Sequence, residues 1–254
     1  MSIKLACHVH SDWSYDGRYS LQALATIFAR HGYDAVLTTE HDRGFDEERR
    51  QRHREACQAA STERILVIPG IEYSDPANRI HILVWGDVPF IGCSIETGST
   101  LTAAAEGRGV AVMAHPARRQ AWRAFQPEWL RHLAGIEVWN RKTDGWCPGK
   151  QAAALIQQTG LPAFVGMDFH DRRQLFPLAT ILDGETVSES AILAALAGGA
   201  FESRALGLPV TKFRGRLLGS LLRSAEFGRR RAAAIYRMLS VTKRASRPPS
   251  THAQ

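Results

Sequence analysis

Ten histidines stand in the 254-residue chain, and six of them (His8, His10, His41, His81, His115 and His170) fall on or at the end of short Val-, Ile- and Ala-rich runs that read as β-strands. Residues two apart on a strand face the same side, so His8 with His10 and Asp168 with His170 each offer two ligand atoms to one face. Each pair can chelate. Asp16, Glu72 and Asp168 add carboxylates at the same end of successive strands. Neighbouring strands lie about 4.8 Å apart, so ligands at adjacent strand ends can hold divalent ions at the roughly 3.5–4 Å spacing of multinuclear hydrolytic sites. Imidazole mixed with carboxylate suits zinc, manganese or iron, whereas calcium and magnesium prefer mostly oxygen. A single strand-end histidine is more often a hydrogen-bonded packing residue than a ligand. Burying this many ionisable groups together without a cation is costly, and that cost points to a metal centre.

The runs that must position these groups end at His8-Val-His10, Thr38-Thr39-Glu40-His41, Ile71-Glu72-Tyr73, Ile82-Leu83-Val84-Trp85, Met113-Ala114-His115-Pro116, Ile136-Glu137-Val138-Trp139 and Val165-Gly166-Met167-Asp168. Between them lie helical patterns: one capped by Ser20 and stopped at Gly32, one over Phe45 to Ala60, and others over Leu101–Glu106, Pro127–Leu133, Gly149–Thr159 and Ser188–Ala197. Strand and helix in alternation predict an α/β fold around a mostly parallel sheet.

Hydrophobic residues at 44% and charged residues at 22% place the chain among ordinary globular domains. No run is long and apolar enough to span a bilayer, and Met1–His10 holds no signal-type apolar core. Cys7, Cys57, Cys93 and Cys147 are widely spaced, which reads as reduced thiols in a cytoplasmic protein and excludes a disulfide framework or a zinc ribbon. Charge divides the chain. Residues 204–254 hold 12 Lys and Arg against the single acid Glu226, net +11, while residues 1–203 hold 20 against 24, net −4. A catalytic body over 1–203 and a basic tail over 204–254 are therefore expected. Leu217, Leu218, Leu221, Leu222 and Ala225, then after Gly228 Ala232, Ile235, Tyr236 and Leu239, predict two basic amphipathic helices in that tail, with disorder from Lys243 onward.

The body resembles the PHP (polymerase and histidinol phosphatase) family of metal-dependent phosphoesterases. The resemblance rests on His8-Val-His10-Ser11 with Asp16-Gly17, Thr39-Glu40-His41-Asp42, Pro69-Gly70-Ile71-Glu72, His81, Ala114-His115-Pro116 and Gly166-Met167-Asp168-Phe169-His170. It implies a distorted TIM-like (β/α)7 barrel with two or three divalent ions (Zn, Mn or Fe) at the C-terminal ends of the strands. It further implies that His8, His10, Glu72 and Asp168 hold a first ion, Asp16, His41 and His170 a second, and Glu72, His81 and His115 a third. Glu72, Asp168 and His170 would be the residues most directly engaged in catalysis, and hydroxide shared between ions would attack a phosphoester. Asp16 stands where some members carry His, and Glu40 where Asp often precedes the second-motif histidine.

Arginines follow several of these motifs: Arg18, Arg43, Arg118, Arg119, Arg172 and Arg173, with Arg141 after the strand ending at Trp139. Loops after barrel strands face the active rim, so an anionic substrate is expected, with Arg18 and Arg43 as its chosen contacts. The net −4 of the body disfavours long nucleic acid and favours a small phosphate monoester or diester, such as a nucleotide or a histidinol-phosphate-like compound. A phosphotyrosine peptide and the 3′ end of an oligonucleotide are alternative substrates. An amidohydrolase-type barrel is the nearest rival, but the middle strands carry no lysine to bridge metals. In another class stands a non-catalytic module whose basic tail contacts an anionic membrane or nucleic acid.

Overall fold

The computed structural model describes residues 1–214 and 216–245. The chain runs β1 (Ser2–Val9), α1 (Leu21–Arg30), β2 (Ala35–Thr38), β3 (Glu40–His41), α2 (Glu47–Ala60), β4 (Leu66–Ile68), β5 (Gly70–Ser74) and β6 (His81–Trp85). It continues through α3 (Thr97–Glu106), β7 (Val110–Met113), β8 (Gly135–Asn140), α4 (Arg141–Asp144), α5 (Lys150–Thr159) and β9 (Ala163–Gly166). The last elements are β10 (Leu178–Asp183), α6 (Glu189–Ala197), β11 (Glu202–Ala205), β12 (Leu208–Pro209) and α7 (Arg216–Ala245).

Two six-stranded sheets form, ordered β12-β11-β10-β1-β2-β4 and β3-β5-β6-β7-β8-β9. They are continuous in the chain, because only Thr39 separates β2 from β3 and only Pro69 separates β4 from β5. Proline has no N–H to give to a ladder, which accounts for the break at 69. At this junction the Trp85 indole N–H donates to the Thr38 carbonyl at 2.8 Å, and Gly70 leaves room for the ring, since a Cβ there would overlap it. The sheets also meet on the other side. The Met167 N–H donates to the Cys7 carbonyl, Phe169 N–H to the His8 carbonyl and His10 N–H to the Phe169 carbonyl, at 3.1, 3.1 and 2.9 Å.

The central strands, among them β2, β6, β7 and β8, are buried on both faces. Ile3, Leu5 and Cys7 of β1 join Leu37, Leu83, Trp85, Val112 and Phe164 in one apolar cluster, while Ala6 and Val9 join Leu24, Phe28, Val36, Met113 and Val165 in the other. Ile3, Leu5 and Cys7 against Ala6 follow the two-residue strand period, and the register shift between Cys7 and Val9 turns Val9 to the side of Ala6. The helices start and stop as their ends dictate: the Ser20 hydroxyl accepts from Ala23 N–H, Asp46 accepts from Arg49 N–H, and Gly32 after α1 takes φ +71°.

The structure departs from the sequence reading in five places. β6 is antiparallel to both β5 and β7, so His81, its first residue, arrives at the end where the parallel strands finish. β10, unanticipated, pairs antiparallel with β1 and carries β11 and β12 outward. Residues Pro127–Arg131 form a 3-10 turn rather than an α-helix. α3 begins four residues before Leu101, at Thr97. Helix α7 is continuous through Gly228 and includes Lys243, replacing the two expected helices; residues 246–254 of the expected disordered end lie outside the described residues. Leu218 and Leu222 of α7 pack against the core, while Leu221, Phe227, Ile235 and Tyr236 are exposed. Among the described residues no helix is long and apolar enough to cross a membrane.

Candidate metal centre

Glu72 sits in the middle of β5, beside His41 in the parallel register with β3, and nearly out of solvent's reach at 1% exposure. Its Oε1 lies 2.6 Å from His81 Nδ1, 2.9 Å from His115 Nε2 and 3.5 Å from His8 Nε2. Its Oε2 lies 2.9 Å from His41 Nδ1 and 3.5 Å from His10 Nε2. Asp168 Oδ1 approaches His8 Nε2, His10 Nε2 and His170 Nδ1 at 3.8, 3.7 and 3.3 Å. Asp16 spans the remaining gap, with Oδ1 3.2 Å from His41 Nε2 and Oδ2 3.1 Å from His170 Nε2. All nine residues singled out for metal binding, His8, His10, Asp16, His41, Glu72, His81, His115, Asp168 and His170, thus share one centre.

The backbone is bent to achieve this. His8, His115 and Asp168 take φ of +61°, +24° and +48°, a left-handed region that non-glycine residues rarely occupy. Such outliers persist only where surrounding structure over-determines them. At His8 the pairing of β1 with β2 also shifts register between Cys7 and Val9, a bulge that re-aims the ring.

Outer residues set the ring orientations. His8 Nδ1 donates to Glu137 Oε1 at 2.8 Å, and Glu137 Oε2 accepts from His115 N–H and from the Asn140 amide. The Ser14 hydroxyl donates to Glu40 and accepts from His41 N–H at 3.0 Å and from His10 Nδ1 at 3.3 Å. Glu40, fully buried, also takes the Ser11 N–H and hydroxyl, so it ties the loop after β1 to β3. Asn78 Oδ1 lies 2.7 Å from His81 Nε2. Each such bond fixes which ring nitrogen faces the centre.

The donor set fits divalent cations. His8 Nε2, His10 Nε2, His41 Nε2 and Asp16 Oδ1 are buried and make no hydrogen bond, which is expensive unless another group claims their lone pairs. Three triads, His8-His10-Asp168, His8-Glu72-His115 and His10-His41-His170, each place three ligand atoms within 4.8 Å of one another. Burial opposes charging His41, yet the carboxylates of Asp16 and Glu72 on either side of its ring push it up to about 10. Burial likewise opposes ionised Glu72, but the charges of His81 and His8 hold its carboxyl well below the usual range. Burial and the neighbouring His41 and His170 drive His10 the other way, toward the neutral ligand form.

Above the centre opens a cavity of about 600 Å³, whose wall includes Tyr15, Arg43, Ser94, Arg118 and Lys142. The Tyr15 ring stacks on His41 at 5.0 Å. The Arg43 guanidinium lies 6.0 Å from the Tyr15 ring. Arg18 lies outside this cavity, largely exposed and 3.8 Å from Asp171, which draws it sideways. Arg118 is held over the cavity by the Asn78 side chain and carbonyl, with Nη1 3.0 Å from His81 Nε2. Lys142 Nζ stands 3.3 Å from Asp168 Oδ1 and 3.1 Å from His170 Nε2. Sequence reading passed over Glu137, Asn78 and Lys142; a carboxylate inside the apolar run Ile136–Trp139 was the available signal for the first, and position just after a strand end for the last. Trp139 is packing, buried against Phe176 and Phe213.

No family model matches the chain, and no curated protein matches its sequence. Solved structures do. PsfC from Pseudomonas syringae PB-5123 is similar with a TM-score of 0.57 and 18% identity, over 76% of this chain and 88% of that one. That likeness is one of fold. A "putative metal-dependent phosphoesterase" from Bifidobacterium adolescentis aligns with a TM-score of 0.47 and 17% identity, over 66% of this chain and 88% of that one. An amidohydrolase from Chromobacterium violaceum, with bound sulfate and no metal, aligns with 0.46 and 16%, over 65% and 87%.

Proposed function

We propose that the chain is a metal-dependent phosphoesterase that hydrolyses a small phosphate monoester or diester, of the nucleotide or histidinol-phosphate type. The observation that carries the reading is the convergence of nine imidazole and carboxylate side chains on one centre, several of them with buried ligand atoms that make no hydrogen bond. In this reading β1, β2/β3, β4/β5, β6, β7, β8 and β9 surround the centre as a distorted (β/α)7 barrel, and β10–β12 are an addition outside it.

His8, His10, Asp168 and Glu72 would hold one divalent ion, His41, His170 and Asp16 a second, and Glu72, His115 and His81 a third, with zinc, manganese or iron suited to this donor set. Bound ions would lower the pKa of water and polarise a phosphoryl oxygen. The chain's own groups do the remaining work. Glu137 and Ser14 hold His8 and His10 with Nε2 inward. Glu72 turns its two oxygens to different sets of imidazoles, so it spans the centre. Arg118, Lys142 and Arg43 line the cavity where phosphate oxygens would lie, and guanidinium forks suit such oxygens.

The test is a phosphate-release screen across nucleotides, sugar phosphates and phosphopeptides, run beside amides and lactones, on metal-loaded protein. Turnover of a phosphoester, absent after chelation and absent in His10→Ala and Asp168→Ala, supports the reading; turnover of amides or lactones alone overturns it.

A further inference from the structure

Lys142 lies on α4, a single turn that follows β8, and its ammonium reaches back over Asp168 and His170. Four residues cannot hold a flexible side chain in place unaided. The N-terminal side of the turn is secured from within: the Asn140 side chain accepts from Thr143 N–H at 2.9 Å, and Asp144 Oδ2 accepts from Asn140 N–H at 2.8 Å. The C-terminal side is secured from a distant part of the chain. Glu226, the single acid of residues 204–254, is buried to 4% exposure, although acids in a basic helix ordinarily point to solvent.

Its carboxylate accepts from Trp146 N–H at 3.1 Å and pairs with Arg229 and Arg230 at 2.6 Å each. Arg230 then donates to the Asp144 and Thr143 carbonyls, at 3.1 and 3.4 Å, which are the free carbonyls at the end of α4. Gly145, between Asp144 and Trp146, has φ +83°, and a Cβ there would overlap the Glu226 carboxylate. The contact thus requires glycine at 145 on two counts. Leu218 and Leu222, on the same side of α7, pack into the core and fix the helix along this line.

We infer that α7 is a buttress for the active rim, and that Glu226 is a positioning residue which, through Trp146 and Arg230, holds the α4 turn so that Lys142 stays over Asp168 and His170. The geometry stands by itself; the consequence for phosphate rests on the phosphoesterase reading. The basic tail then belongs functionally to the site rather than following it as a separate unit.

Two readouts on the full-length chain test this. The first is the rate of Lys142 acetylation by an amine-reactive ester, read by peptide mass spectrometry against exposed Lys150 as internal reference. The second is the affinity of metal-loaded protein for inorganic phosphate by calorimetry. Glu226→Ala is expected to speed labelling of Lys142 alone and to weaken phosphate binding about tenfold, the size of one charge-assisted contact. The loss should match that of Lys142→Ala, and the double variant should be no worse, because both remove the same contact.

Arg230→Met, which leaves Glu226 its bonds to Arg229 and Trp146, should give a smaller change of the same kind and serves if Glu226→Ala does not fold. Unchanged labelling in both variants, or additive losses in the double variant, overturns the inference. Wild-type protein that binds no phosphate counts against the substrate reading, and the labelling experiment still decides the positioning role.

Discussion

The Glu137 carboxylate occupies the space a side chain at Gly166 would need: a Cβ built on Gly166 would overlap Glu137 Oε1, the atom that accepts from His8 Nδ1. Strand β9 must therefore carry glycine at this point for the carboxylate beneath the centre to reach its histidine. Gly166→Ala is expected to cost about 1–3 kcal/mol of stability by overpacking and to lower metal content as His8 is displaced. Thermal melts with and without added zinc check both. Glu137→Gln keeps the volume but turns one of two accepting oxygens into an NH2 that faces a donor, so it should lower the melt of the metal-free protein and weaken metal affinity roughly 10- to 100-fold.

Glu72 touches five imidazoles through two oxygens. Glu72→Gln is expected to lower metal stoichiometry by more than one ion per chain, whereas His81→Ala, at the edge of the group, should lower it by one at most. Elemental analysis after reconstitution and desalting distinguishes them, and equal losses would contradict the central place given to Glu72.

Arg118 and Arg18 make opposite predictions. Arg118→Met should raise KM for a phosphoester about tenfold, the effect of losing one charge-assisted contact, with a smaller change in kcat. Arg18→Met, removing a group that faces Asp171 outside the cavity, should change neither. Steady-state kinetics of the two variants on one substrate are sufficient.

Burial pushes Asp144 up to about 7, well above the value near 3.9 of an unfolded aspartate. The folded chain keeps this proton to higher pH than the unfolded chain does. The contribution is therefore fully present below about pH 4 and is lost as pH rises through 7. Asp144→Asn should flatten the decline in melting temperature between pH 5 and pH 8 that wild type is expected to show. Parallel slopes in the two proteins would sink this assignment.

The pairs His8-x-His10 and Asp168-x-His170 were legible as ligand pairs, but regular strand alternation is not what aims them: β1 ends at Val9, β9 ends at Gly166, and His8 and Asp168 take left-handed φ. The seven strand positions were legible because runs buried on both faces are apolar throughout. The direction of β6 was not, because five consecutive buried residues read alike in either sense, and only pairing with β5 and β7 shows that His81 begins the strand. Glu137 and Lys142 act singly, with no spacing partner to mark them. The role of Glu226 was hidden by the charge of its surroundings, since a lone acid among arginines looks like surface until Gly145 and Trp146 are seen against it.

The most direct test of the account is the metal-to-protein ratio of the purified, reconstituted chain beside its Asp168→Ala variant, with circular dichroism as a check on folding. Two or three divalent ions per wild-type chain, and at least one fewer in a variant of unchanged fold, are the predicted result. A wild-type chain that retains no divalent ion, or a variant that retains as many, would contradict it.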